Sequence, residues 1–411
     1  MTNLSINGER LWASLMEMAK IGATPKGGSN RQTLTDLDKQ GRDLFVRWCR
    51  EAGLEVTVDQ MGSIFARRRG RRDDLPPVLA GSHLDTQPTG GRFDGVFGVL
   101  AALEMVRTLN DAGVETDAPV EIVNWTNEEG ARFAPPMIAS GVFAGVFPLE
   151  EGLGKTDAEG RTIGEELQRI GYSGERACTG HPYAAYFEPH IEQGPILERE
   201  DKTIGVVTGA QGARWFEVTV TGQEGHAGAT PMDMRSDALV TAARLVGEIR
   251  EIGLQPGENG RATVGIMKVA PGSPNVVPGS VFFTVDIRHP QEEVIEEMTT
   301  ALRGAAERAA RELDTPVEVR EIWYSPPVRF DQGCVDAVRE AAQAYGYSHR
   351  DIVSGAGHDA VYVARVAPTA MIFVPCEKGI SHNEAEYAKP EDLAAGCNVL
   401  LHAVLSRAGG R

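Results

Sequence analysis

Acid and imidazole side chains crowd the end of one apolar stretch. In VLAGSHLDTQPTGGRFDGVFG, from Val78 to Gly98, the segment Val78 to Ser82 is small and apolar and reads as a buried strand. His83 and Asp85 follow at its carboxyl end, where residues i and i+2 share a face. Asp94 lies beyond a Gly-rich turn, at the mouth of an apolar helical run that begins near Gly95. These are nitrogen and oxygen donors suited to a divalent metal, and they make half of a metal site. A second apolar strand, PVEIVNW, runs directly into Glu128 and Glu129. Paired acids are ordinarily solvated surface, but directly behind a buried strand both must face a cleft. One can then hold a metal while the other, perturbed by its neighbours, takes a proton from water. His190 in HIEQGP and His382 in GISHNE follow extended segments and are weaker signals taken singly. His181, His289, His349 and His402 lack such surroundings and are assigned to structure or surface. GLGKT at 152–156 resembles a phosphate loop, but the first glycine of that motif would fall on Leu149, which excludes it.

Strand, polar loop and helix in succession place side chains at the carboxyl edge of an α/β sheet. Upstream, Leu11, Leu15 and Met18 keep helical spacing, and a second helix uses Leu37, Leu44, Phe45, Trp48 and Ala52. LEVTVD and Ser63–Arg67 read as strands, whereas 151–185 is polar, Gly-rich and poorly periodic. From about Ala213 the pattern changes. RWFEVTVTG, ATVGIMKVA, GSVFFTVDIRH and PVEVREIW are strands, with helices at 235–253 and over QEEVIEEMTTALRGAAERAARELD. The order β-α-β-β-α-β is the ferredoxin-like unit, one sheet backed by two helices. Afterwards the α/β pattern resumes, with a helix at 333–345, strands near 350–354 and at AMIFVP, and a last helix after Pro390. The expected organisation is one α/β domain, 1–212 with 326–411, into which a second, 213–325, is inserted.

Composition bounds the function. A chain of 411 residues suits two domains. The net charge of −17 argues against nucleic acid or an anionic membrane as partner. Five scattered cysteines without CxxC spacing favour reduced thiols. No basic start with an apolar core precedes Trp12, and no apolar run reaches the ~20 residues of a spanning helix. A soluble, cytoplasmic protein is expected.

HLD, GGRFDG, NEEGARF, HIEQG, GHAGATPMD, SPNVVPG, DIRH, SGAGHDA and ISHNEAE occur in order over nearly the whole chain. Together they resemble the dinuclear-metal amidohydrolases that include N-carbamoyl-L-amino acid hydrolases, β-ureidopropionases and allantoate amidohydrolases, relatives of aminoacylase- and carboxypeptidase-type metallopeptidases. The resemblance implies a metallopeptidase-like catalytic domain, a mixed sheet flanked by helices, with an inserted lid and dimerisation domain. It implies two divalent cations (Zn²⁺ or Mn²⁺, with Co²⁺ and Ni²⁺ also suited) held by His83, Asp94, Glu129, His190 and His382. Asp94 would bridge them, and Asp85 would hold the His83 ring in its tautomer. Glu128 would be general base and then general acid. A histidine at position 190, followed by Glu-Gln-Gly, leans towards the ureido-hydrolysing branch. In the inserted domain Arg288 and Asn275 would hold a substrate carboxylate, for which the planar Arg fork is suited. From the residues alone, Arg288 could equally pair with Asp286 on the same strand face. His226 would stabilise the oxyanion, in its own subunit or in a neighbour's. Gln193 and the Gly355–Asp359 loop, with Gly357 and His358, would line the substrate pocket. Metals on one domain and a carboxylate clamp on the other imply hinge closure near 209–212 and 325–327. The expected reaction is hydrolysis of an N-carbamoyl-L-amino acid or N-carbamoyl-β-alanine to amino acid, carbon dioxide and ammonia, by a homodimer. Allantoate hydrolysis, an aminoacylase or dipeptidase, and a non-catalytic metal-binding protein are the rivals. Retention of Glu128 speaks against the last.

Overall fold

The computed structural model describes residues 4–409. The chain divides into two compact units: one comprises the chain through Gly209 and from Arg329 onward, the other Ala210–Val328.

In the first unit, nine strands among the described residues form a mixed sheet. Its centre is four parallel strands in the order Val120–Trp125, Val78–His83, Ala185–Ile191 and Thr369–Val374. Every residue of these four is buried, as expected for parallel strands covered on both faces. Antiparallel strands flank them, Ile64–Arg68 beside Val120–Trp125 and Ile204–Ala210 beside Thr369–Val374. Helices Val96–Asp111 and Pro390–Ala408 pack on the central strands and on each other, and both are buried along most of their length.

Among the elements that the sequence reading did not give are a strand and a helix. Ile204–Ala210 is a strand, although its Gly205 and Gly209 leave it without a clear pattern. Within the poorly periodic stretch, Ile163–Ile170 forms a helix, started by a reciprocal capping box between Thr162 and Glu165. That T-x-x-E spacing is a start signal in its own right.

The second unit is a five-stranded antiparallel sheet backed by helices Ala238–Leu254 and Glu292–Glu312. Its central strands are Ser280–His289 and Gly212–Thr221, with Val317–Ser325 beyond the latter. Val281, Phe283, Val285 and Ile287 point into the core with Phe216, Leu245 and Leu302. The single strand expected over 262–270 is two, Arg261–Thr263 and Met267–Ala270, both paired with Ser280–His289. Gly265 lies in the break, where the Thr284 amide donates to the Ile266 carbonyl. No helix among the described residues is long and apolar enough to cross a membrane.

Candidate active site

Because the four central strands are parallel, their carboxyl ends share one edge. His83 ends one strand, Glu128 and Glu129 follow the second, His190 is the penultimate residue of the third, and the chain after Val374 carries His382. Asp94 is brought in by the loop between Val78–His83 and the helix starting at Val96. Two donor groups form, each with its ligand atoms within 4.8 Å of one another: His83, Asp94 and His190, and Asp94, Glu129 and His382. Asp94 belongs to both. Its Oδ1 lies 3.7 Å from His83 Nε2 and 3.1 Å from His190 Nε2, and its Oδ2 lies 3.4 Å from His382 Nε2. Glu129 Oε2 is 3.3 Å from the same His382 nitrogen.

Tautomers follow from the hydrogen bonds. His83 Nδ1 donates to the carbonyl of Asp85 and His190 Nδ1 to that of Ile191, both at 2.9 Å. With Nδ1 so committed, Nε2 is the atom each ring turns towards Asp94, a donor while it keeps its proton and a ligand once it loses it. The ring of His83 is therefore held by the backbone of Asp85, not by its carboxylate, which stands 3.8 Å away. The carboxylate has other work: Oδ1 accepts from the amide of Glu128 (3.3 Å), and Oδ2 accepts from the amide of Glu129 (3.2 Å) and from Thr33 Oγ1 (2.7 Å). Asp85 thus anchors the turn that presents both glutamates. That turn is conformationally demanding, with Asn127 at φ +59° and Gly130 at φ +63°.

Glu128 is buried, with Oε2 3.3 Å from His83 Nε2. Burial, and then the negative charges of Asp359, Glu129, Asp94 and Asp85, push its pKa well above the ordinary range. Burial and Asp94 lift Glu129 to about 8. For Asp94 burial acts upward too, but the hydrogen bonds from His190 and His382 outweigh it and hold the carboxylate well below its usual value. Such concentrated buried negative charge, with imidazole nitrogens aimed into it, suits these donor groups to holding metal. Gly95, at φ +66°, lies under the His83 ring, which a Cβ there would overlap.

Gln193 sits at the metal-ligand cluster itself, where its Nε2 donates to Asp94 Oδ2 (2.8 Å) and Ser381 Oγ (3.1 Å). His358 packs against the same cluster. It is buried, its centroid 4.5 Å from that of His190, with Nε2 3.0 Å from Ser354 Oγ. Burial and the neighbouring His190 keep it neutral. At Gly357 a Cβ would stand 2.9 Å from Met137 Cε.

Three expected residues lie in the second unit. Arg288 forks onto Asp286, Nε to Oδ1 at 3.0 Å and Nη2 to Oδ2 at 2.8 Å. His226 lies in a small hairpin, Gly225–His226 paired with Val276–Val277. Its Nδ1 accepts the amides of Gly228 and Ala229, so Nε2 carries the proton and is a donor. Asn275 Oδ1 accepts from Ser273 Oγ, leaving the amide hydrogens as its donors.

Residue-by-residue reading overlooked Ser381 and Glu386. Glu386 Oε1 accepts the amides of Phe93 and Asp94 (2.9 and 3.1 Å). Ser381 Oγ lies 3.0 Å from Asp94 Oδ2 and 3.1 Å from Glu386 Oε2. Both flank His382 in ISHNEAE, which was the available signal. Gln87 was missed as well: its backbone and side-chain amides hold the two oxygens of Glu129.

Known proteins share this arrangement of sequence. An N-carbamoyl-L-amino-acid amidohydrolase of Rhizobium meliloti is 53% identical over 408 residues, 99% of this chain and 98% of the relative. An N-carbamoyl-L-amino acid amidohydrolase of Geobacillus stearothermophilus is 40% identical over 98% of this chain and 100% of its own. The crystal structure of an amidase of the hydantoinase/carbamoylase family from Burkholderia multivorans superposes with a TM-score of 0.97 at 63% identity, covering 98% of both chains. The profile of peptidase family M20/M25/M40 matches residues 79–406, a span that begins within the strand ending at His83 and runs past His382. The chain belongs to that family.

Proposed function

We propose that this protein hydrolyses the ureido C–N bond of N-carbamoyl-L-α-amino acids, giving the amino acid, carbon dioxide and ammonia. The observation that carries the reading is the pair of donor groups sharing Asp94 beside a buried Glu128, in a chain 53% identical to a named N-carbamoyl-L-amino-acid amidohydrolase. His83, His190 and Asp94 would hold one divalent cation, and Asp94, Glu129 and His382 the other. When bound, the cations supply the charge that acidifies water and polarises the ureido carbonyl, a poor electrophile because of its resonance. Glu128 takes the proton of the attacking water and then donates it. The same proton passes to the departing nitrogen, and the carbamic acid left behind decomposes to carbon dioxide and the second nitrogen product.

For the substrate carboxylate we assign the guanidinium of Arg288 and the amide of Asn275, with His226 Nε2–H as donor to the oxyanion. Arg288 would exchange its fork on Asp286 for one on the substrate. We also infer a homodimer through the second unit, whose open sheet face exposes the paired Trp215 and Trp323.

The test is turnover of a four-compound panel by the metal-reconstituted protein. N-Carbamoyl-L-methionine, N-carbamoyl-β-alanine and allantoate are scored by ammonia release, and N-acetyl-L-methionine by free amino acid. Turnover of N-carbamoyl-L-methionine above the rest is expected. Allantoate or N-carbamoyl-β-alanine as the better substrate would move the reading to that ureido compound. N-Acetyl-L-methionine alone would overturn it.

A further inference from the structure

The two donor groups differ in how firmly their side chains are held. Around His83 and His190 both rings are buried to 1% side-chain exposure, and each is locked through Nδ1 by a backbone carbonyl. At the other group, the His382 side chain is 52% exposed and its backbone is in the left-handed region at φ +53°. No backbone carbonyl locks its ring among the described residues. Glu129, its partner, already accepts two hydrogen bonds from Gln87.

What holds the His382 loop to Asp94 is a compact polar web. Ser381, the residue before His382, lies within hydrogen-bond reach of both Asp94 Oδ2 and Glu386 Oε2, and Gln193 Nε2 donates to its Oγ. The Ser381 hydroxyl has one hydrogen and two carboxylate claimants. Glu386, 1% exposed, is fixed from behind by the amides of Phe93 and Asp94. The web thus joins Asp94 Oδ2, the bridging atom on the His382 side, to the loop carrying His382. Asp94 Oδ1 faces the two locked imidazoles.

We infer that Ser381 and Glu386 are positioning residues for the cation held by Asp94, Glu129 and His382, and that this position binds more weakly and exchanges faster than the one held by His83, Asp94 and His190. The inference rests on the cation-binding reading above. Preorganised donors lose little freedom on ligation, whereas the half-exposed His382 ring must be ordered each time. Partners that orient metal ligands change affinity by 10–100-fold when removed.

The experiment is Mn²⁺ binding to the metal-stripped full chain, followed by the EPR signal of free Mn²⁺ and by calorimetry, in wild type, S381A, E386Q, H382A and H190A. Thermal unfolding is recorded for each. Two unequal classes are expected. S381A and E386Q should weaken the weaker class about 10–100-fold and leave the tighter one within about twofold, while H382A should abolish only the weaker and H190A should remove the tighter. Two equal classes would overturn the inference, as would S381A and E386Q shifting both classes alike or neither. If wild type binds no Mn²⁺, the cation reading fails and this inference with it. Loss of the asymmetry with two ions still bound overturns this inference alone.

Discussion

Replacing Asp85 separates two accounts of what its carboxylate does. If it anchors the Glu128–Glu129 turn, Asp85→Ala leaves two turn amides and the Thr33 hydroxyl without their acceptor. Thr33 can rotate towards another partner, but the amides cannot. A hydrogen bond to a charged group contributes roughly 1.5–3 kcal/mol, so freeing both amides costs about 3–6 kcal/mol in the ordering of the turn. At about 1.4 kcal/mol per decade, kcat/KM should fall by roughly 10²–10⁴. Asp85→Asn is milder. Its carbonyl oxygen can still take one amide, and its NH2 can face Thr33 Oγ1, which accepts as readily as it donates. One amide bond and the charge are lost, about 1.5–3 kcal/mol or a 10–100-fold fall.

The assay is kcat/KM on N-carbamoyl-L-methionine by ammonia release, with bound metal counted and thermal unfolding followed in parallel. Both variants should keep the cation held by His83 and His190, because the carbonyl of Asp85 that fixes the His83 ring survives either change. If Asp85→Asn is as damaging as Asp85→Ala and both lose that cation, the carboxylate serves the His83 ring and the reasoning is refuted.

Two further outcomes follow from the same geometry. Glu128→Gln keeps the backbone bonds to Asp85 and Met137, so it should retain metal while kcat falls by about 10²–10⁴, the range of a general acid–base group; undiminished turnover would remove Glu128 from the mechanism. Asp59 is fully buried, and burial raises its pKa from 3.8 to about 7. Between those values the folded chain holds a proton that the unfolded chain has released, so stability contributed at low pH is lost as pH rises through that window. Asp59→Asn should be free of this loss. The difference in urea midpoint between variant and wild type should therefore grow in the variant's favour from pH 4 to 7, and a constant difference would show that Asp59 titrates normally.

Much of the frame was legible because it is written in short-range patterns. The buried runs at Val78–Ser82, 119–125 and 370–375 are strands of the sheet's parallel core, and the alternation in GSVFFTVDIRH separates Val281, Phe283, Val285 and Ile287 from Thr284, Asp286 and Arg288 as expected. The two units meet in sequence at Ala210 and Val328, three residues outside the expected 213 and 325. What stayed illegible depends on partners distant in sequence. The amide of Phe93 meets Glu386 across 293 residues, and no local pattern reports such a bond. The function of Asp85 was misplaced for a related reason. Spacing put it beside His83, but the turn it holds arrives from a different strand, 43 residues on.

The residues at this edge also explain how irregular connections can hold side chains in fixed geometry. Asn127, Gln193 and His382 are non-glycine residues in the left-handed region, a conformation that persists only where the surroundings over-determine it. None is held by apolar packing alone. Asn127 Nδ2 donates to the Phe133 carbonyl, Gln193 donates to Asp94, and the residue before His382 reaches Asp94 and Glu386. The apolar core beneath fixes the strands, and a buried polar web fixes what the strands present. Substitutions that delete one polar atom here, such as Ser381→Ala or Asp85→Asn, leave the core intact. They should therefore act on metal affinity and turnover well before they act on the unfolding temperature, whereas enlarging Gly95 beneath His83 disturbs the ring and the helix start together.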